Sequence, residues 1–238
     1  MDGKSGEHTV IKDPREHRSD IPGLTARRLS IYLRCLQVLE SAGVEMISSR
    51  EIADQFHLNS AQFRKDLAYF GEFGVRGLGY RVIDLKHHLV EILGLNREIR
   101  LVILGAGNLG MALAGYAGFN EHGFQVVSLF DTDPGKIGDA SPGGARVRDL
   151  GDLHSFVQAH PVDIAVLAVP AAAGQEVLDR VASAGIQAVL NFVPARLKVP
   201  QGVRLQSVDL KVQVESLVFH LAQQERRDPF LVDSPSMR

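Results

Sequence analysis

The sequence predicts an α/β protein of two domains, a small and mostly helical one followed by a doubly wound parallel sheet. Three observations predict it. Up to about residue 95, apolar residues recur at i, i+3, i+4 and i+7, the spacing of one buried helix face. From Ile99 the period changes to short, nearly continuous apolar runs at 99–104, 125–130, 163–169 and 186–190, the pattern of parallel strands buried on both faces. Helical stretches separate most of these runs, and such alternation builds a parallel sheet. A chain of 238 residues with 45% hydrophobic composition has material for two such cores.

Residues 1–22 are charged and aperiodic, with Pro14 and Pro22, and are expected to form a disordered tail. The first domain is expected over 23–95. A helix begins near Thr25 and buries Leu29, Tyr32, Leu33, Leu36 and Leu39; Gly43 stops it. Ser48 with Glu51 three residues on is a capping box, opening a second helix through Ile52, Ala53 and Phe56. The turn His57-Leu58-Asn59 leads to a third helix from about Ser60 to Phe70. Gly74 to Val82 predicts two short strands around a tight turn. A fourth helix is expected from Asp84 to Leu93, stopped by Gly94, with a linker over 95–98. The sheet domain then spans 99–208. A last helix, 209–225, carries an apolar stripe of Leu210, Val214, Leu217, Val218 and Leu221, and a second tail is expected at 230–238.

Formal net charge is −2, and up to residue 98 there are 14 cations against 14 carboxylates. Overall charge therefore gives no sign of nucleic acid, so any such contact must come from a local basic face. The single cysteine, Cys35, cannot form an intrachain disulfide and sits among leucines, which fits a small core residue in a reducing cytosol. No apolar run reaches the ~18 residues of a membrane span, and the N-terminus has no signal-peptide core. The chain is expected to be cytoplasmic. No metal site is expected.

The sharpest motif is Gly105-Ala106-Gly107-Asn108-Leu109-Gly110, placed directly between the strand Leu101–Leu104 and a helix rich in Ala and Leu. Gly105 permits a tight turn, Gly107 lets the backbone approach a pyrophosphate, and Gly110 lets helix and strand pack closely. The helix start offers free N–H groups to phosphates. Asp131 ends the next strand, 21 residues after Gly110, where a carboxylate accepts from ribose hydroxyls and repels a 2′-phosphate. The motif therefore predicts a Rossmann domain for NAD(H) rather than NADP(H). Two further strand ends, Ala168-Val169-Pro170 and Asn191-Phe192-Val193, either wall a nicotinamide ring or simply end strands.

The third helix has two faces. Phe63, Leu67 and Phe70 are spaced for the core, and Ala61, Arg64, Lys65 and Ala68 for the opposite side. Small residues flanking two cations let a helix lie close in a major groove. Arg64 suits a guanine edge or a phosphate, and Lys65 a phosphate. The hairpin after it would be a wing, with Arg76 reaching the minor groove or backbone. This is a winged-helix reading; a solvated basic face is the plainer one.

Here the residues resemble a known family. The stretch from Ser60 to Gly74, containing Arg64-Lys65-Asp66-Leu67 and Phe70-Gly71-Glu72-Phe73-Gly74, with Arg76-Gly77-Leu78-Gly79-Tyr80 after it, is similar to the Rex redox-sensing repressors of bacteria. Gly105–Gly110, Gly118-Phe119, Asn191-Phe192 and Val208-Asp209-Leu210 match further blocks in order, so the resemblance covers about 22–222. Ala117 and Val193 depart from it. The resemblance implies a homodimer that binds an inverted-repeat operator with NAD⁺ and is released by NADH, and a last helix exchanged between partners. It implies DNA contacts at Arg64, Lys65 and Arg76; Ser60, Gln62 and Tyr80, in the same blocks, join them as candidates. Tyr116 and Asp209 match positions that change partners between states, and Phe119 one near the partner's nicotinamide. With the glycine motif, the cofactor candidates are Gly105, Ala106, Gly107, Asn108, Leu109, Gly110, Asp131, Val169, Pro170, Asn191, Phe192 and Phe119.

The rival expectations are a dehydrogenase with an extra helical domain, and a coenzyme A binder. After the sheet too little chain remains for a catalytic domain, and His57, His87, His88, His154 and His160 are scattered. Asp131 argues against coenzyme A.

Overall fold

The computed structural model describes residues 23–75, 77–119 and 123–227. The expected tails at 1–22 and 230–238, and Arg76, lie outside them. The chain divides into two compact units, 1–97 and 98–238, and the division falls inside the linker expected at 95–98.

In the first unit, helix α1 (Gly23–Ser41) buries Leu29, Tyr32, Leu33, Leu36 and Leu39 on one face, as its periodicity requires, with Cys35 beside them. Strand β1 (Met46–Ile47) leads to α2 (Ser49–Phe56), where Ser48 and Glu51 form the capping box in both directions. His57 ends α2 in the left-handed region, at φ 54°. Helix α3 (Ser60–Ala68) starts on Asn59, whose side chain accepts from the Gln62 N–H. It stops two residues short of the expected Phe70, whose ring still packs against the core.

The wing differs from the expected hairpin. Val75 and Gly79 form an isolated bridge, and strand β2 (Tyr80–Arg81) pairs antiparallel with β1. Gly79 explains the choice of partner. Its φ is +92°, and a Cβ there would strike the carbonyl of Ile47, so only glycine lets β2 lie against β1. Helix α4 (Val82–Ile92) begins directly from β2 and covers α1 with Val82, Leu85 and Leu89.

Asp66, on α3, has no exposed surface. Arg28 of α1 donates to it twice, from Nε at 2.6 Å and Nη2 at 2.8 Å; the Tyr32 hydroxyl donates at 2.9 Å and the Gln62 amide at 2.8 Å. Burial pushes the carboxyl up, but these donors and the guanidinium charge outweigh it, and it lies below its usual range. One ionised group thus bolts α3 to α1.

In the second unit six parallel strands run in the order β5-β4-β3-β6-β7-β8. They are β3 (Ile99–Leu104), β4 (Phe124–Asp131), β5 (Val147–Asp149), β6 (Ile164–Leu167), β7 (Ala188–Asn191) and β8 (Arg204–Ser207). The four central strands coincide with the four apolar runs. Strands β5 and β8 close the edges and are largely exposed, so they lack such a run. Both faces are covered. Leu101 and Ile103 pack with Ala114 of α5 (Asn108–Ala114); Val102 and Leu104 pack with Phe156 of α6 (Leu153–Ala159) and Leu178 of α7 (Gly174–Ser183). The chain reverses its direction of travel across the sheet between β3 and β6, which opens a crevice at their carboxyl ends. Helix α8 (Leu210–Arg227) closes the described chain.

Asp66→Asn is expected to destabilise the first unit by about 2–3 kcal/mol, because it strands Arg28, which keeps 32% of its side chain in water. Asp66 titrates lower folded than unfolded, so its contribution is complete above the unfolded value of about 3.9 and is lost as pH falls through the folded one. Urea titrations should show the gap between wild type and variant shrinking below about pH 4. A gap unchanged from pH 7 to pH 2 would contradict this.

Candidate dinucleotide cleft and DNA-facing helix

The glycine turn is built by backbone contacts. Gly105 has φ +102° and lies against the Ala168 carbonyl of the neighbouring strand end, while Gly110 lies against the Gly105 carbonyl; a Cβ at either would overlap backbone. Gly107 differs. A Cβ there meets nothing within 4 Å and its φ is −79°, so the protein itself does not require a glycine. The space it leaves open is a cradle beside the first turn of α5, whose leading N–H groups have no partner within the helix.

Asp131 sits at the end of β4. The Ala106 N–H donates to its Oδ2 at 2.7 Å and the Asp133 N–H to its Oδ1 at 2.9 Å. Lys136 Nζ lies 3.2 Å from Oδ2. Burial raises the carboxyl, but these N–H groups and the Lys136 ammonium hold it below its usual range, so it is ionised at neutral pH. The amide of Ala106 is spent on Asp131 and is a strut of the turn. Lys136 was not among the expected residues; the signal for it is a cation five positions after a strand-end acid, beyond the turn at Pro134-Gly135.

Gly105, Gly107, Asn108, Leu109, Asp131, Val169, Pro170 and Phe192 line one cleft of about 670 Å³, with Asp133, Lys136, Ala168 and Pro194. Ala106, Gly110, Asn191 and Phe119 are not among its lining. Asn191 is buried, and its amide accepts from the Val193 N–H at 3.0 Å and donates to Ser207 Oγ at 3.2 Å, tying the end of β7 to β8. Val193 is buried against Gly174 at the start of α7, where a Cβ would overlap it; its departure from the family pattern is a matter of core packing. Phe119 meets the Tyr116 ring edge-on at 5.4 Å. Tyr116 is exposed, and Asp209 caps α8 by accepting from Lys211 and Val212 N–H groups. Two of the histidines have local partners: His88 Nδ1 lies 2.7 Å from the Asp84 carbonyl, and His160 stacks on Phe156. Among the described residues no group of three His, Cys, Asp or Glu could hold a metal ion, and no helix is long and apolar enough to cross a membrane.

On α3, Phe63 and Leu67 are buried, while Ala61, Arg64, Lys65 and Ala68 are exposed. Ser60 is half-buried at the helix start. Gln62 is half-buried and gives its amide to Asp66. The Tyr80 ring packs edge-on to Phe63 at 5.6 Å, and burial raises its phenol, so its hydroxyl stays protonated and able to donate. Arg64 Nη1 donates to Ser49 Oγ at 2.8 Å.

Comparison with known proteins fits both halves. Residues 20–68 match the family model "Putative DNA-binding protein N-terminus", and residues 96–195 match "CoA binding domain". The chain is 47% identical over 210 residues to a redox-sensing transcriptional repressor Rex of Pelotomaculum thermopropionicum, covering 86% of this chain and 96% of that one. It is 44% identical to Rex 1 of Thermotoga maritima, covering 84% and 96%. Among solved structures it resembles RSP, a Rex-family repressor, in complex with β-NAD⁺ and operator DNA, at TM-score 0.83 and 34% identity over 91% of this chain and all of that one. The complex of RSP with β-NADH gives TM-score 0.78 at 35% identity, covering 87% and 97%.

Gly107→Ala should fold as wild type, since its methyl enters open space, yet lose at least about tenfold in NADH affinity by filling the cradle, a cost of about 1.4 kcal/mol. Gly110→Ala should instead lose thermal stability. Calorimetric titration beside thermal melts reads both, and a Gly107→Ala chain that binds NADH like wild type would contradict the assignment.

Proposed function

The chain belongs to the Rex family of redox-sensing transcriptional repressors, and we propose that it binds operator duplex as a homodimer, holds NAD(H) in the cleft of its second unit, and leaves the operator when NADH replaces NAD⁺. The observation that carries this reading is the presence, in one chain, of an exposed cationic helix face and a glycine cradle beside an ionised Asp131. Its relatives are repressors rather than enzymes, so the dehydrogenase expectation falls away. A repressor works where the DNA is, so the protein is placed in the cytoplasm.

In this reading Gly107 admits the pyrophosphate, and Asp131 accepts from the adenosine ribose. An ionised acceptor favours free ribose hydroxyls over a phosphorylated ribose, which selects NAD(H) over NADP(H) and coenzyme A. Val169, Pro170 and Phe192 give the cleft an apolar wall. NADH brings an uncharged ring and NAD⁺ a cationic one, and an apolar wall accepts the first at lower desolvation cost. On the other unit, Arg64, Lys65 and Arg76 meet the operator, with Ser60, Gln62 and Tyr80 around them.

Dimerisation rests on α8. Leu210, Val214, Leu217 and Leu221 are each 59–63% exposed, so the stripe that could have packed within its own chain does not. A contiguous apolar face of this kind marks an interface. A second copy is its occupant, with α8 exchanged as the family resemblance implies and with Tyr116 and Asp209 changing partners between states.

Titrating NADH into the protein bound to an inverted-repeat operator fragment should release the DNA, whereas NAD⁺ should not. NADH turnover with a small carbonyl substrate, and no operator binding, would overturn the function. Leu217→Glu with Leu221→Glu should halve the mass seen by sedimentation equilibrium; a wild type that sediments as a monomer would refute the dimer.

A further inference from the structure

The two cations on the exposed face of α3 are not equivalent. Lys65 is exposed and makes no hydrogen bond or ion pair among the described residues, a point charge on an untethered stem. Arg64 is tethered across 15 residues, its Nη1 donating to Ser49 Oγ at 2.8 Å. Ser49 is the first residue of α2, and the capping of that helix is done entirely by Ser48 and Glu51. The Ser49 hydroxyl is therefore not engaged in the cap. Both residues line a groove of about 480 Å³ that runs from the start of α2 to the wing, bounded by Gly74, Val75 and Tyr80. The Arg64 charge is also felt at Tyr80, where it opposes the effect of burial on the phenol. The guanidinium thus lies along the domain surface, between α2 and the wing.

This geometry separates the two roles open to Arg64. Reading a guanine edge takes a guanidinium fork pointed from the helix into the major groove. A fork held back on Ser49 points elsewhere, and has spent one N–H. Four donors remain, and Ser49, acting as acceptor, keeps its own O–H to give. A fixed fork beside a hydroxyl suits a tetrahedral anion with several acceptor oxygens. Resting on the DNA-binding reading above, we propose that Ser49 is a positioning residue that holds Arg64 as a clamp on a backbone phosphate of duplex DNA, leaving Lys65 as the cation of α3 that reaches base edges.

The clamp makes the pair responsible for affinity and salt dependence, and Lys65 for discrimination. The test measures binding of the full-length wild type, S49A, S49T, R64A and K65A to operator and to non-operator duplex across a salt series, with thermal melts confirming the fold. R64A should weaken both duplexes by the same factor and reduce the slope of log K against log salt by about 0.9 per half-site. S49A should weaken both by about 3- to 10-fold, the worth of one hydrogen bond, and S49T should restore binding. K65A should narrow the ratio between operator and non-operator affinity. S49A binding with wild-type affinity and slope overturns the positioning role; R64A losing operator affinity alone makes Arg64 a base reader and overturns the clamp. A wild type that holds neither duplex overturns the function reading and this proposal with it, an outcome distinct from either variant result.

Discussion

The Ala106 N–H donates to the Asp131 carboxylate at 2.7 Å, and the geometry of the cleft depends on that bond. It ties the turn after β3 to the end of β4, so the glycine loop and the acid cannot move apart. Around it the backbone is crowded on every side but one. Gly105 abuts the Ala168 carbonyl and Gly110 abuts Gly105, which locks the turn to β6 and to α5. Only the side at Gly107 is open. A turn so constrained presents its N–H groups without reorganising, and that pre-organisation is what a pyrophosphate site requires.

The first unit solves a different problem by the same means. Asp66 is fully buried and remains ionised because Arg28, Tyr32 and Gln62 all donate to it. Burying a charge is costly unless its partners are complete. Here they come from two helices, so the cost is recovered only when α3 sits in one place on α1. The network therefore works as a register device for α3. It also explains why Gln62, in the midst of an exposed cationic helix, faces inward.

Much of this was legible in the sequence, and what was not follows from contact across long separations. The four central strands, the capping box at Ser48 and the buried face of α1 are local patterns, and each was read from spacing. Strands β5 and β8 were not, since an edge strand exposed over most of its length has no apolar run. The pairing of β1 with β2 leaves no such pattern, because two residues carry no period; Gly79 is its mark in the sequence, and in a glycine-rich segment a glycine reads as a turn. In the cleft, eight of the twelve expected cofactor residues line one wall or another. The other four hold the turn, the end of β7 or the Tyr116 ring. Ser49 and the Asp66 network leave no local pattern, because they are paired across elements, Ser49 with Arg64 and Asp66 with Arg28 and Tyr32; Lys136 leaves only the faint one of a cation five positions after Asp131.

The proposed function requires the nucleotide cleft to be coupled to the DNA-facing helix, and magnitudes constrain that coupling. Moving a two-state equilibrium from 1:99 to 99:1 takes a differential affinity of about 10⁴, or ~5.5 kcal/mol. NAD⁺ and NADH differ at a single ring, by one hydride and one charge. An apolar wall such as Val169, Pro170 and Phe192 discriminates between those rings, but discrimination alone moves nothing unless the wall itself differs between the two states of the protein. Within one chain the surface best placed to differ is the uncovered stripe of α8, for its state depends on what covers it. On the proposed function, an α8 exchanged with a second copy, with Tyr116 and Asp209 changing partners, would make the cleft and the interface parts of one equilibrium. On that reading the sensor is the dimer: an isolated chain would still favour the uncharged ring, but would have no interface for that preference to move.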